Sequence, residues 1–131
     1  MSFTSGTAKV INYGSEDYDT NSFHDNSTNN SRITIPTGLG GKYNISALIR
    51  TEDATGNLYS ILGLLKNGSD FNSLGIPSSV VKSDDQGTVT MVYTVQVSLA
   101  AADYVEFSFS SNWATGNKTI TSRFCVEYLG A

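Results

Sequence analysis

ITIPTGLGGKYNISALIRTEDATGNLYSILGLLKNG, running from Ile33 to Gly68, reads as strands separated by turns. Arg32 to Ile35 is a short alternating strand that Pro36 closes, because proline has no N–H to give to a ladder. Thr37 to Gly41 holds three glycines in five residues, which marks a turn with unusual backbone angles. Tyr43, Ile45, Ala47 and Ile49 then alternate with Lys42, Asn44, Ser46 and Arg50, the period of a half-buried strand. Glu52 to Asn57 is a polar turn, and Leu58 to Leu65 returns as a strand with apolar residues on both faces. Such a strand is either central in a sandwich or covered on one face by a neighbouring subunit. Lys66-Asn67-Gly68 is a hairpin-type turn.

Outward from this stretch the same grammar continues. Ala8 to Tyr13 is a first strand candidate, preceded by a short N-terminal arm over residues 1–7. Gly14 to Ser31 is strongly polar, with Tyr18 and Phe23 as its anchors. Asp70 to Pro77 is irregular, Val80-Val81 marks a brief strand, and Lys82 to Gln86 is polar. Gly87 to Leu99 places Val89, Met91, Tyr93, Val95 and Val97 on one face. After the turn Ala100 to Asp103, the residues Val105, Phe107 and Phe109 face a core opposite Tyr104, Glu106 and Ser108. Ser110 to Lys118 is a loop around Trp113, and Thr119 to Leu129 is the last strand. No segment has helical periodicity. About eight to ten short strands at regular spacing predict an all-β antiparallel β-sandwich or jelly roll, a single domain over residues 1–131.

Composition narrows the partners. Charged residues make up only 15% of the chain, so Ser, Thr, Asn and Gly carry the surface. An uncharged polar surface suits packing against copies of itself or a larger assembly, although a plain antiparallel sandwich has the same look. A net charge of −4 offers no basic patch for phosphates, which argues against nucleic acid. No run approaches the roughly 18 apolar residues of a membrane-spanning helix. The N-terminus lacks the basic and apolar regions of a signal peptide, so synthesis and folding are expected in the cytoplasm. Cys125 has no second cysteine to pair with, and the apolar run Phe124 to Leu129 predicts it as a buried small hydrophobe.

Chemistry is sparse. Glu16, Asp17 and Asp19 lie close together, and calcium favours several such oxygens, making Asp17 and Asp19 the metal candidates. No Asp-x-Asp-x-Asp-Gly loop with a closing Glu follows, so solvated turn acids are the preferred reading. His24 has no partner at metal-ligand spacing. The glycine cluster lacks the Lys-Ser/Thr ending of a phosphate loop. Asp84-Asp85 and the Glu16 group could supply paired carboxylates for glycoside hydrolysis, but adjacent strand carboxylates point apart. No Ser-His-Asp or Cys-His arrangement is apparent, and the chain is read as non-enzymatic, with no cofactor. Five Asn-x-Ser/Thr matches are chance in so Asn/Ser/Thr-rich a chain.

Five short motifs occur in order: Asp17-Tyr18-Asp19-Thr20; Ile35-Pro36 with Gly41-Lys42-Tyr43-Asn44-Ile45-Ser46-Ala47; Leu64-Leu65-Lys66-Asn67-Gly68; Leu99-Ala100-Ala101-Ala102-Asp103-Tyr104-Val105-Glu106; and Ser122-Arg123-Phe124-Cys125-Val126-Glu127-Tyr128-Leu129. Together they resemble the globular-head jelly roll of complement component one subunit q and tumour necrosis factor, in the version found in phage structural proteins. The glycine this family has before Asp103 is Ala102 here, so that turn either avoids positive φ or carries strain. The resemblance implies a compact homotrimer, with Tyr43, Tyr59, Ile61, Phe107, Phe124, Val126 and Tyr128 as candidates for the threefold interface. It further implies a virion structural protein, read first as a capsid decoration, cement or head-knob protein. Its partners are then its own copies and the major capsid protein, with Met1, Ser2 and Phe3 as the shell contact. The alternative is a receptor-binding tip of a tail or head fibre, where Thr55, Asn57, Asp84, Trp113 and Asn117 sit on exposed loops facing a host glycan.

Overall fold

The computed structural model describes residues 2–4, 6–51, 59–71, 89–112 and 117–131, without the side chains of Phe3, Tyr59, Val89, Asn117 and Lys118. These residues form nine strands and no helix: β1 (Ser2–Thr4), β2 (Lys9–Val10), β3 (Ile33–Thr34), β4 (Gly41–Thr51), β5 (Tyr59–Lys66), β6 (Ser69–Asp70), β7 (Val89–Leu99), β8 (Tyr104–Asn112) and β9 (Asn117–Gly130). One sheet runs β1-β9-β4-β7; the other runs β2-β8-β5-β6, with β3 also on β8. All pairings are antiparallel, and the result is a jelly-roll-like β-sandwich.

The alternation in β4 does what period two requires. Tyr43, Ile45, Ala47 and Ile49 are buried, and β4 pairs along its length with β7 on one edge and β9 on the other. From β7, Met91, Val97 and Leu99 enter the same core, and β8 of the opposite sheet contributes Val105, Phe107 and Phe109. Leu62 and Leu64 of β5 complete it, while Ile61 and Leu65 on the other face are half-buried. Aromatic rings knit the two sheets: Phe107 meets Phe124 edge-on with centroids 4.7 Å apart and Tyr93 at 5.6 Å.

The short strands β2 and β3 lie end to end along one edge of β8, opposite Ser108–Phe109 and Tyr104–Val105 respectively. Backbone bonds extend each contact by one residue, from the Ile11 N–H to the Phe107 carbonyl and from the Ile35 N–H to the Asp103 carbonyl. The N-terminal residues differ from expectation. Ser2 to Thr4 is not a free arm but a strand, paired with Asn117 to Thr119.

Gly41 explains why β4 begins where it does. The β4–β9 register shifts between Lys42 and Tyr43, bringing Gly130 and the Tyr128 ring hard against Gly41. A Cβ at Gly41 would overlap the Gly130 carbonyl oxygen and lie 2.7 Å from the Tyr128 ring. Gly41→Ala is therefore expected to destabilise the fold by about 1–3 kcal/mol, the usual cost of overpacking. Urea unfolding checks this, and a midpoint unchanged from the parent chain would refute it.

Candidate functional site

Among the described residues, the outward face of the four-stranded sheet carries an exposed apolar cluster. Antiparallel sheets commonly show polar residues to water on such a face, and here Thr94, Gln96 and Ser98 of β7 and Thr121 of β9 are exposed. Three residues break the pattern. Leu48 of β4 is 38% exposed, Val92 of β7 is 61% exposed, and Cys125 of β9 is exposed. Register makes them neighbours: Leu48 pairs with Val92 and Arg123, and Ser46 pairs with Thr94 and Cys125. Ser46, Leu48, Val92, Arg123 and Cys125 line one shallow depression, floored by Ala47, with Arg123 as its charged member. Leu48, Val92 and Cys125 form a small apolar cluster on an otherwise polar face. Leu129, 47% exposed, lies further along β9.

Cys125 corrects the sequence reading. Phe124 and Val126 pack against the core, so the residue between them must point outward. The apolar run from Phe124 to Leu129 hid that period.

The interface candidates chosen from sequence scatter over the sandwich. Tyr43 and Phe107 are wholly buried within one chain and present no side chain to a neighbour. The Tyr43 hydroxyl donates to the Leu39 carbonyl, and its ring packs between Phe23 and Tyr128. Phe124 and Val126 are half-buried against the core, and Ile61 is half-buried on the outer face of the other sheet. Tyr128 is 43% exposed near the end of β9. Tyr59 lies in β5, its side chain outside the description. Ser2 is exposed, Phe3 pairs through its backbone with Lys118, and Asn117 pairs with Thr4. Met1, Thr55, Asn57, Asp84 and Trp113 lie outside the described residues.

The polar segment 14–32 is organised by its own side chains. Asp19 accepts the backbone N–H groups of Asn21 at 3.3 Å and His24 at 2.9 Å. Partial burial raises its pKa, but the backbone donors outweigh that and the net shift is downward. Asp17 is exposed. Among the described residues no three His, Cys, Asp or Glu side chains cluster as a metal set. The His24 ring packs inward, with Nε2 donating to the Asn30 carbonyl at 3.1 Å. The segment ends by covering Glu106, which is only 6% exposed although alternation places it on the solvent side. Ser31 Oγ and Arg32 Nε donate to its Oε1 at 2.7 and 3.1 Å, and the Arg32 guanidinium sits 4.1 Å over the Tyr104 ring. Nearby in the sandwich, the Tyr13 hydroxyl is buried without a hydrogen bond of normal geometry. Burial pushes its pKa well above the ordinary phenol value, and the adjacent Ser122 hydroxyl relieves it only in part.

A second constellation forms where two of the sequence motifs meet. Asn67 and Gly68, with φ of 52° and 77°, make a two-residue turn that pairs Lys66 with Ser69. This turn docks on the connection Ala100–Tyr104. Lys66 Nζ lies 2.8 Å from Asp103 Oδ2, and Asn67 Nδ2 donates to Asp103 Oδ1 at 2.8 Å. Asp103 Oδ2 also accepts the Ala100 N–H, and Asn67 exchanges bonds with the Tyr104 backbone in both directions at 2.9 Å. The Ala102 N–H and Asp103 carbonyl tie the corner to Ile35. Ala102 itself takes φ of 67°, so the turn keeps the left-handed geometry and carries strain.

Two outcomes follow from this corner. Ala102→Gly removes more left-handed strain than it adds unfolded-chain entropy, a net gain of about 0.5–1 kcal/mol. Thermal unfolding should rise by about 2–4 °C; a lower midpoint would contradict the strain. Lys66 first, then Asn67 and the Ala100 N–H, hold Asp103 at about 2, below its ordinary 3.8. Its contribution is complete above pH 4, where the unfolded chain also carries the charge. It fades between about pH 4 and 2, as the unfolded chain takes up its proton first. Asp103→Asn should flatten that part of the acid unfolding curve, and an unaltered curve would show that the ion pair contributes nothing.

No family model matches the chain, and no curated protein sequence matches it either.

Proposed function

We propose that this chain is a non-enzymatic virion structural protein, a homotrimeric capsid decoration or head-knob protein. The observation that carries the proposal is the small apolar cluster on the outward β1-β9-β4-β7 face, where Leu48, Val92 and Cys125 adjoin beside Arg123. In a cyclic trimer, that face of each subunit packs against a different surface of the next, a heterologous contact that closes on itself. Val92 has most to gain: burying its side chain contributes about 1 kcal/mol per contact, and Leu48 less.

Three further features favour the reading. The sheet orders β1-β9-β4-β7 and β2-β8-β5-β6 are those of a jelly roll. The motif residues that resemble the complement and tumour-necrosis-factor heads occupy structurally demanding places: Gly41 at its close approach, and Lys66-Asn67 against Asp103. The edge strand Ser2–Thr4 lies at the margin of the same sheet, which supports reading Ser2 and Phe3 as contacts to the major capsid protein.

Light scattering on the purified chain should give a mass near three chains at micromolar concentration. Val92→Lys, with circular dichroism unchanged, should give one chain. A monomeric parent protein would end the trimer reading. On the particle, the protein should be found in many copies on heads lacking tails; recovery only with tails would transfer it to receptor binding.

A further inference from the structure

Asn67-Gly68 is the only Asn-Gly dipeptide in the chain, and both residues are exposed at a hairpin tip. In unstructured peptides this pair is the most prone to spontaneous deamidation, because glycine offers no side chain to hinder its own nitrogen. The Gly68 nitrogen attacks Asn67 Cγ, the Cγ–Nδ2 bond breaks, and the amide leaves as ammonia, taking the proton from the Gly68 N–H. Water then opens the resulting succinimide at one carbonyl or the other, giving aspartate or isoaspartate. Water is the sole co-reactant, and no oxidation change occurs.

In this fold the carboxamide is engaged at both ends. Its nitrogen donates to Asp103 Oδ1 at 2.8 Å, and its oxygen accepts the Tyr104 N–H at 2.9 Å. Asp103 is held in turn by Lys66 Nζ at 2.8 Å and by the Ala100 N–H at 2.8 Å. Attack by Gly68 therefore requires the carboxamide to let go of the 100–104 turn. We propose that Asn67 is a latent deamidation site, held in check by Asp103 and Tyr104, and that its conversion unlocks the corner it now closes.

The consequence follows from charge and chain length. Aspartate at position 67 loses the donor to Asp103 and sets a second carboxylate against the first. Isoaspartate also adds a backbone atom to a turn that pairs Lys66 directly with Ser69. Either product weakens the attachment of the β5–β6 hairpin to the β7–β8 connection. Lys66 also reaches the Ser98 carbonyl at 3.4 Å, so the loosening extends to β7.

The test is incubation of the full chain in mildly alkaline buffer, with peptide mapping by mass spectrometry to follow conversion at Asn67. The folded chain should convert about tenfold more slowly than the same chain in urea, and Asp103→Ala should recover most of that difference. Equal rates in folded and unfolded chain, or an unchanged rate in Asp103→Ala, would overturn the proposal. If Asp103→Ala does not fold, Asn67→Asp supplies an independent reading. Its unfolding temperature should lie below that of the parent at neutral pH, and the gap should narrow in acid as one carboxylate takes a proton. A gap absent at neutral pH would equally overturn it.

Discussion

Because β4 is hydrogen-bonded along its length on both edges, its register constrains every other element of the sandwich. A one-residue slip against β9 or β7 would turn Tyr43, Ile45, Ala47 and Ile49 to the solvent face and bring Lys42, Asn44 and Arg50 into the core. The Gly41 approach to Gly130 makes such a slip costly at one end, since no other residue fits there. With β4 fixed, β7 and β9 take their faces by pairing, and the opposite sheet must meet the rings they project. Phe124 of β9 is the hinge of that meeting, touching Phe107 across the sandwich and Tyr13 beside it.

This constraint also explains which parts of the sequence were legible. Faces were readable wherever period two ran for several residues: Met91 to Val97, Val105 to Phe109 and Tyr43 to Ile49 point as alternation requires. Pairing was not, because alternation within a strand says nothing about its neighbour. Leu48, Val92 and Cys125 each sit at a polar-parity position in a different strand, and only register brings them together. The interface candidates read from sequence were aromatic and aliphatic residues. The core absorbed Tyr43 and Phe107, since large rings are what fills the gap between two sheets.

Polar segments were illegible for a different reason. Residues 14–32 have no period, so nothing in their order indicates that Ser31 and Arg32 cover Glu106, some 75 positions on. Once covered, Glu106 needs its partners: a carboxylate at 6% exposure without a donor would be strongly destabilising. The Asn67–Asp103 contact spans 36 residues and joins two motifs that looked independent. Both are examples of a side chain whose role is set by a distant loop rather than by its own strand.

The apolar cluster and the corner clasp are separate features of the sandwich. Leu48, Val92 and Cys125 lie toward the middle of their strands, whereas Lys66, Asn67 and Asp103 gather at a turn beyond the end of β7. The strands that carry the apolar face are secured by continuous ladders through β4, which do not depend on the clasp. Loosening the corner would therefore first free the β5–β6 hairpin of the opposite sheet. A surface that meets a neighbour is best built where the backbone is most fully paired, because rigid elements lose the least freedom on binding. Here Leu48 lies on the doubly paired β4, Cys125 on β9 and Val92 on the edge strand β7, while Tyr18, 80% exposed, stands outside the strands, so Leu48 has the most rigid backbone of the four.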